Sequence, residues 1–126
     1  MKVEKEADIQ KAILDFLRLK RYVVTKHYST VFKGSRDTGY YPVPIGDKGV
    51  SDIIGCSPTG RFIAVEVKKP GGSASDDQIA YLENIRAAGG IGFTAWSLDD
   101  ALDALARDGD VPLLRTRGRT NRPYAL

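Results

Sequence analysis

The spacing of hydrophobic residues predicts three helices, at residues 3–22, 76–88 and 97–108. The second and third helices each start at a serine that can cap them, and glycines follow both. In the first helix the apolar side chains fall on one face, as in a helix that packs on a core. The residues predicted to face the core are Ile9, Ile13, Phe16 and Leu17 in the first helix and Ile79, Leu82 and Ile85 in the second.

Runs rich in β-branched and aromatic residues predict strands between these helices. The turn sequence SPTG at 57–60 and two prolines within 40–49 separate the runs. The predicted strands cover residues 23–32, 50–56, 61–68 and 90–97, with a polar loop at 33–39 and an extended segment at 40–49. Three residues of these strands are predicted to lie in the core, namely Cys56, Phe93 and Trp96.

The predicted elements follow one another as helix, three strands, helix, strand and helix. The last two strands and the helix between them form a βαβ unit, for which a right-handed crossover is expected. The earlier strands pair as hairpins. The chain is therefore predicted to be an α/β protein whose mixed β-sheet is flanked by helices.

Charged residues interrupt two strands that are otherwise apolar. The turn at 57–60 folds the strands together and places Asp52 opposite Val65 or Glu66, a choice that the sequence leaves open. Glu66 and Lys68 are two residues apart, so they point to the same face of their strand. Two neighbouring carboxylates repel each other and need a cation between them. Their hard oxygen ligands predict a site for Mg²⁺ or Mn²⁺.

Four further groups fall near this predicted metal site. The carbonyl of Val67 can complete the coordination, and Lys68 can orient or deprotonate a water molecule or balance charge in the transition state. Glu6 lies on the apolar side of the first helix, from which it can reach the site. Gln78 stands in the first turn of the second helix, where it can contact the water or a phosphate.

The same residues also admit interpretations without chemistry. Glu66 and Lys68 fit an exposed ion pair, which contributes little in water. Asp52 fits a cap of the hairpin, and Glu6 fits an ordinary carboxylate at a helix start. Gln78 has a structural role as the partner of the capping serine.

Composition agrees with one globular domain of 126 residues, in which 42% are hydrophobic and 28% are charged. No apolar run approaches the roughly 18 residues of a membrane span, and the basic and acidic start is not that of a signal peptide. One cysteine excludes an internal disulfide and suits the cytoplasm, of a host cell if the chain is phage-encoded. The one histidine, His27, excludes a multi-histidine zinc site and is predicted as a surface or strand residue.

Positive charge is concentrated at the C-terminal end. The net charge is +3, and residues 111–126 contain four arginines and no acidic residue. We therefore divide the chain into a domain at 1–110 and a basic tail at 111–126. The predicted DNA contacts are Lys48, Lys69, Arg115, Arg117, Arg119 and Arg122. Tyr40 and Tyr41 fit either a DNA groove or a turn.

Several of these sequences together resemble the VRR-NUC family of the PD-(D/E)XK nuclease superfamily. The resemblance covers about residues 5–105. It rests on Glu6 with Gln10, GVSDIIG at 49–55, GRFIAVEVKKPGG at 60–72, Gln78, and IRAAGGIGFTAWS at 85–97. Ser51 stands where the broader superfamily often has proline.

The resemblance implies a restriction-endonuclease-like αβββαβα core and an endodeoxyribonuclease that hydrolyses phosphodiester bonds with Mg²⁺ or Mn²⁺. The implied catalytic residues are Glu6, Asp52, Glu66, Lys68 and Gln78, and the implied metal ligands are Asp52, Glu66, the carbonyl of Val67, and Glu6. Stand-alone phage-type members suggest a homodimer that acts on branched DNA such as four-way junctions.

Other functions remain open at this stage. Within the enzyme class, the alternative is a plain nickase or a restriction-like nuclease. Outside it, the alternatives are a non-catalytic DNA-binding protein that keeps the fold and a structural interaction module. The intact residues Asp52 and Lys68 favour the enzyme.

Overall fold

The computed structural model describes residues 5–108 apart from residues 29, 36, 38 and 45. The three predicted helices are confirmed as α1 (Glu6–Leu19), α2 (Asp76–Ala87) and α3 (Leu98–Asp108). The basic tail predicted at 111–126 lies outside the described residues. No helix in the described part of the chain is long and apolar enough to cross a membrane.

The strands form two separate sheets. In chain order they are β1 (Val23–Lys26), β2 (Thr30–Ser35), β3 (Gly39–Pro44), β4 (Ile53–Cys56), β5 (Phe62–Val67) and β6 (Ile91–Ala95). Four of them form the main sheet in the order β1-β4-β5-β6, while β2 and β3 pair with each other as a hairpin. Pairing in the main sheet is antiparallel except between β5 and β6, which are parallel and joined through α2.

The predicted mixed sheet with flanking helices is confirmed, and the main sheet with its helices follows the predicted αβββαβα order. The prediction of one strand at 23–32 is wrong, because this segment divides between β1 and β2. Pairing of β1 with β4 ends at Lys26 and Ile53, and the chain then pairs with β3 instead. Residues 33–35, which were predicted as loop, belong to β2 because they pair with β3.

The core lies between one face of the main sheet and helices α1 and α3. It is formed mainly by buried aliphatic side chains, among them Ile9, Ile13, Leu17, Val24, Ile53, Ile63, Val65, Ile91 and Leu105. Helix α2 packs on the opposite face, where Leu82 lies against Gly92. A Cβ atom on Gly92 would stand 3.0 Å from the carbonyl oxygen of Leu82, so this glycine permits the close approach of helix and strand.

Several predicted core residues are less buried than expected. Ile79 is 43% exposed and Ile85 is half-buried, so Leu82 alone is buried among the three predicted α2 positions. The reason is that α2 contacts β5 and β6 and leaves the part of this face near β1 and β4 uncovered. Cys56 is exposed on this uncovered part of the sheet. It pairs with Val23 on one side and with Phe62 on the other, and both of these residues are exposed as well.

The predicted aromatic core residues are also only partly covered. Phe16 and Phe93 are partly buried against the core. Trp96 is 38% exposed because it follows β6, beyond the last paired residue of the sheet.

Candidate active site

Two carboxylates meet at the edge of the main sheet where β4 begins and β5 ends. Ile53 pairs with Val65, and one further step in this register places Asp52 opposite Glu66. The second of the two predicted registers is therefore the observed one. The carboxylate oxygen Oδ2 of Asp52 accepts a hydrogen bond of 2.9 Å from the backbone N–H of Val67, which holds the side chain across the end of β5.

Glu66 is a buried acid with a mixed environment. Its side chain is 1% exposed, and its Oε2 atom accepts a hydrogen bond of 2.9 Å from Nε2 of Gln78. The ammonium of Lys68 lies 3.5 Å from the same oxygen. Burial and, next, the neighbouring Asp52 carboxylate raise the pKa of Glu66 to about 8, even though the ammonium of Lys68 partly opposes them.

The donor set at this edge suits a small hard cation. Oε1 of Glu66 is buried and has no hydrogen-bond partner among the described residues, so it is available as a ligand. The described residues contain no group of three or more His, Cys, Asp or Glu side chains that could hold a metal ion. The site therefore brings two carboxylates together, and water, backbone carbonyls or a side chain that approaches the edge can supply the rest. Mg²⁺ is commonly bound in this way, since it keeps several waters and needs one or two carboxylates.

Glu6 approaches this edge from the first residue of α1. Its Oε2 atom accepts a hydrogen bond of 3.3 Å from the backbone N–H of Lys69, just beyond the end of β5. The expectation that Glu6 continues the buried face of α1 is wrong, because the residue is exposed. It lies near the site from the solvent side.

Gln78 has its predicted capping role and also contacts Glu66, while its predicted contact with a water or phosphate stays a prediction. Its side-chain Oε1 atom accepts a hydrogen bond of 2.8 Å from the backbone N–H of Ser75. The backbone N–H of Gln78 donates to the Ser75 hydroxyl at 3.1 Å. This predicted capping box fixes the amide so that Nε2 points to Glu66. The cap of α2 thereby orients a hydrogen-bond donor toward the buried carboxylate.

The predicted DNA-binding residues divide into two groups. Lys48 and Lys69 are exposed close to the site in sequence, at the approach to β4 and after β5. Tyr40 and Tyr41 are also exposed, by 71% and 55%. The arginines at positions 115, 117, 119 and 122 lie outside the described residues.

Two neighbours of Asp52 were not predicted as site residues. The backbone N–H of His27 donates a hydrogen bond of 2.7 Å to the carbonyl of Asp52. Its Nε2 atom and the hydroxyl of the fully buried Ser51 have no hydrogen-bond partner in the described part of the chain. His27 lies next to Asp52 because β1 pairs with β4, and the sequence alone does not reveal this pairing.

Trp96 supports the loop that follows Lys68. Its indole N–H donates a hydrogen bond of 2.6 Å to the carbonyl of Gly72, and Lys68 N–H donates to the carbonyl of Ala95 at 3.0 Å. These two bonds join the chain beyond β5 to the last residue of β6 and to the residue that follows it. They fix the segment in which Lys68 and Lys69 lie.

The geometry can be compared with known proteins. A search of curated proteins gave no match to the chain. A family model described as VRR-NUC domain matches residues 42–95, a stretch that includes Asp52, Glu66, Lys68 and Gln78 but not Glu6. Residues 42–95 thus match a type of nuclease domain that is generally DNA-related, and over this stretch the family predicted from the sequence motifs is confirmed.

Proposed function

We propose that the protein is an endonuclease that requires Mg²⁺ or Mn²⁺ and hydrolyses phosphodiester bonds in DNA, as a homodimer on branched substrates. One observation supports this most directly. Glu66 is buried next to Asp52 with an oxygen that has no hydrogen-bond partner among the described residues, within the stretch that matches a nuclease domain. A buried carboxylate in this state is stabilised by a bound cation.

Asp52 and Glu66 hold the ion, together with the carbonyl of Val67. Glu6 adds a ligand directly or through a water molecule. A bound ion at this place supplies Lewis-acid polarisation of a phosphate oxygen. A bound ion would also offset the repulsion between the two carboxylates and so favour the ionised form of Glu66.

Lys68 acts on the attacking water or on the charge of the transition state. Its side chain is 18% exposed, so the ammonium keeps access to the surface while it stays within 3.5 Å of Glu66. Gln78 holds Oε2 of Glu66 and so leaves Oε1 to the cation. Lys48 and Lys69 are exposed cations that can contact phosphates along the strand to be cut.

A homodimer gives the second cut that a duplex or junction needs. One active site of this kind cuts one strand, and two-fold dimers are the commonest closed assemblies. With a chain mass of 13.8 kDa, a dimer appears near twice that value in light scattering. A measured mass of one chain at micromolar concentration contradicts the dimer but not the nuclease.

Nicking of closed circular DNA tests the enzymatic proposal. We expect the wild-type protein to relax and then linearise a supercoiled plasmid with Mg²⁺ or Mn²⁺ and to leave it intact in EDTA. Lys68→Ala should lower the rate by about a hundredfold or more, as expected for loss of a group that acts in proton transfer. Lys11→Ala, which removes an exposed lysine paired with Asp15 on α1, is the matched control and should cut within a few-fold of wild type.

Calorimetric titration with Mn²⁺ separates ligands from catalytic groups. Asp52→Asn and Glu66→Gln should lose most of the binding heat, whereas Lys68→Ala should retain it. Cleavage that persists in EDTA, or wild-type cutting by Lys68→Ala, overturns the proposal. DNA binding without any cleavage would favour a non-catalytic DNA-binding protein. A panel of duplex, single-stranded, flap and four-way-junction DNA then identifies the substrate structure.

A further inference from the structure

We propose that the β2–β3 hairpin is a DNA-contacting wedge, in which Tyr40 and Tyr41 stack on unpaired bases a few nucleotides from the cut site. This inference rests on the proposed DNA hydrolysis and names the feature of the substrate that the protein recognises. The hairpin forms a two-stranded sheet that is separate from the main sheet. Two-stranded hairpins are marginal in water without a partner surface, so the exposed aromatic residues of this one call for an explanation.

The chain segments on either side of the hairpin contact the candidate active site. On its first side, the N–H of His27 is bonded to the carbonyl of Asp52, so the chain that leaves β1 is attached next to a predicted metal ligand. On its second side, Gly49 packs against the first turn of α2. A Cβ atom there would stand 2.3 Å from the carbonyl oxygen of Asp77 and 3.0 Å from the nitrogen of Gln78.

The φ angle of Gly49 is +82°, a value that other residues rarely adopt. Glycine therefore permits both the turn and the close contact with α2 at this point. Because both flanking segments contact site residues, the hairpin extends from the site. Tyr40 and Tyr41 lie toward its turn, about 10–13 Å along the strand from Pro44, so bases held there belong to DNA a few nucleotides from the site.

The two tyrosines are exposed on both sides of the hairpin. Neighbouring residues of a strand point to opposite faces, and Tyr40 is 71% exposed while Tyr41 is 55% exposed. Gly34 pairs with Tyr40 and has no side chain, so no side chain stands directly opposite the Tyr40 ring. Lys33 pairs with Tyr41 and is itself exposed, which places an ammonium beside the second ring.

This combination fits nucleic acid better than a protein surface. A protein partner that covered one face of the hairpin would leave the other tyrosine in water. Bases stack on aromatic rings whatever their sequence, and a neighbouring lysine can bind the phosphate of the same nucleotide. Aromatic side chains on both faces suit a wedge placed between unpaired bases, which a fork or branch offers and an intact duplex does not.

Binding of two labelled DNAs tests the wedge without any cleavage. The probes are a fluorescein-labelled duplex and a fork of the same sequence with unpaired arms, titrated in EDTA and followed by anisotropy. We expect wild type to prefer the fork. Tyr40→Ala/Tyr41→Ala should weaken fork binding about tenfold or more, as for loss of base stacking, and duplex binding less than twofold.

Three controls accompany this variant. Tyr40→Phe/Tyr41→Phe keeps the rings and should bind within about twofold of wild type. Tyr40→Leu/Tyr41→Leu keeps apolar bulk in the strand and should lose fork preference even if the alanine variant folds poorly. Phe62→Ala removes an exposed aromatic ring at the opposite end of β5 and should leave both affinities unchanged.

The inference and the proposed function fail in different ways. Equal affinity of wild type for fork and duplex overturns the wedge. It is also overturned if the leucine variant binds the fork as tightly as wild type, or if its affinities for fork and duplex fall by the same factor. A leucine variant that sediments at half the mass of wild type also overturns it, because the tyrosines then belong to an interface between copies. Failure of the proposed function appears elsewhere, as absence of metal-dependent nicking by wild type.

Discussion

Glu66 lies where burial and a neighbouring carboxylate favour the neutral form of its carboxyl group unless a cation compensates the negative charge. It is 1% exposed and stands next to Asp52, and the ammonium of Lys68 offsets this only in part. The protein therefore keeps a carboxyl group in a place where its ionisation has a cost. We infer that a bound cation offsets this cost, because it stabilises the ionised carboxylate of Glu66.

This interpretation predicts how stability depends on pH when metal is absent. The folded protein holds the pKa of Glu66 at about 8, whereas the ordinary value is 4.5. Between these values the folded state keeps a proton that the unfolded chain has lost, so the free energy of unfolding should fall as pH rises. The fall is at most about 1.4 kcal/mol per pH unit for one group. Urea titrations in EDTA from pH 5 to 8 measure it.

Glu66→Gln provides the comparison for this pH dependence. Glutamine has nearly the same shape but cannot ionise, so the variant should lose this part of the pH dependence. Its stability relative to wild type should rise steadily from pH 5 to 8. Parallel curves for the two proteins would show that Glu66 is already ionised in the folded, metal-free state.

The pairing of these two acids could be predicted from sequence because local rules fix it. A short turn at 57–60 limits the register to two choices, and the alternation of side chains places Glu66 and Lys68 on one face. His27 could not be found in this way. Its position next to Asp52 depends on which strand pairs with β1, and that pairing joins segments separated by the whole hairpin.

At the scale of elements, periodicity predicted the existence of helices and strands better than their exposure. Ile79 lies at helical spacing with Leu82, yet it is 43% exposed because α2 covers only part of the sheet. The hairpin β2–β3 was missed for a related reason. Two prolines excluded a central strand, whereas β3 belongs to a two-stranded sheet, in which both strands are edges and proline is tolerated.

Helix α2 links its own cap to the site, and two variants separate these roles. Ser75→Ala removes the capping hydroxyl but keeps the backbone N–H that bonds to Gln78, so Gln78 stays oriented. We expect it to lower the free energy of unfolding by about 1 kcal/mol with little effect on cleavage. Gln78→Ala also removes the bond to Glu66 and should lower cleavage about 10–100-fold.

Urea unfolding and plasmid nicking by the same preparations measure both effects. Similar losses of stability with unequal losses of activity support a direct role of Gln78 at Glu66. If both variants lose cleavage in proportion to stability, Gln78 acts through the helix end alone. The capping interpretation and the catalytic interpretation, which the sequence left open, are separated by this pair of changes.

At the scale of the whole molecule, the distribution of charge sets a problem for binding a polyanion. The candidate site presents carboxylates, and the first turn of α2 adds Asp76 and Asp77. The formal net charge of the chain is only +3, and four of its arginines lie at or beyond residue 115. Positive charge that attracts DNA must therefore come from outside the acidic edge, which leads to a prediction for the tail.

We expect deletion of residues 115–126 to weaken DNA binding and leave the saturated cleavage rate near that of wild type. The deletion removes four arginines and no acidic residue, so the formal net charge changes from +3 to −1. Each phosphate contact that is lost should lower the slope of log affinity against log salt concentration by about 0.9. Anisotropy titrations at several NaCl concentrations measure both affinity and slope.

Replacement of the four arginines distinguishes charge from chain length in this experiment. Changing Arg115, Arg117, Arg119 and Arg122 to glutamine should reproduce the deletion, whereas changing them to lysine should keep most of the salt slope. Lysine should still bind somewhat less tightly, because it lacks the two-pronged contact of a guanidinium with phosphate. Unchanged affinity and slope in the deletion would assign the DNA contacts to the domain. A truncated protein whose mass falls to one chain in light scattering would instead identify the tail as an arm that packs on the second subunit.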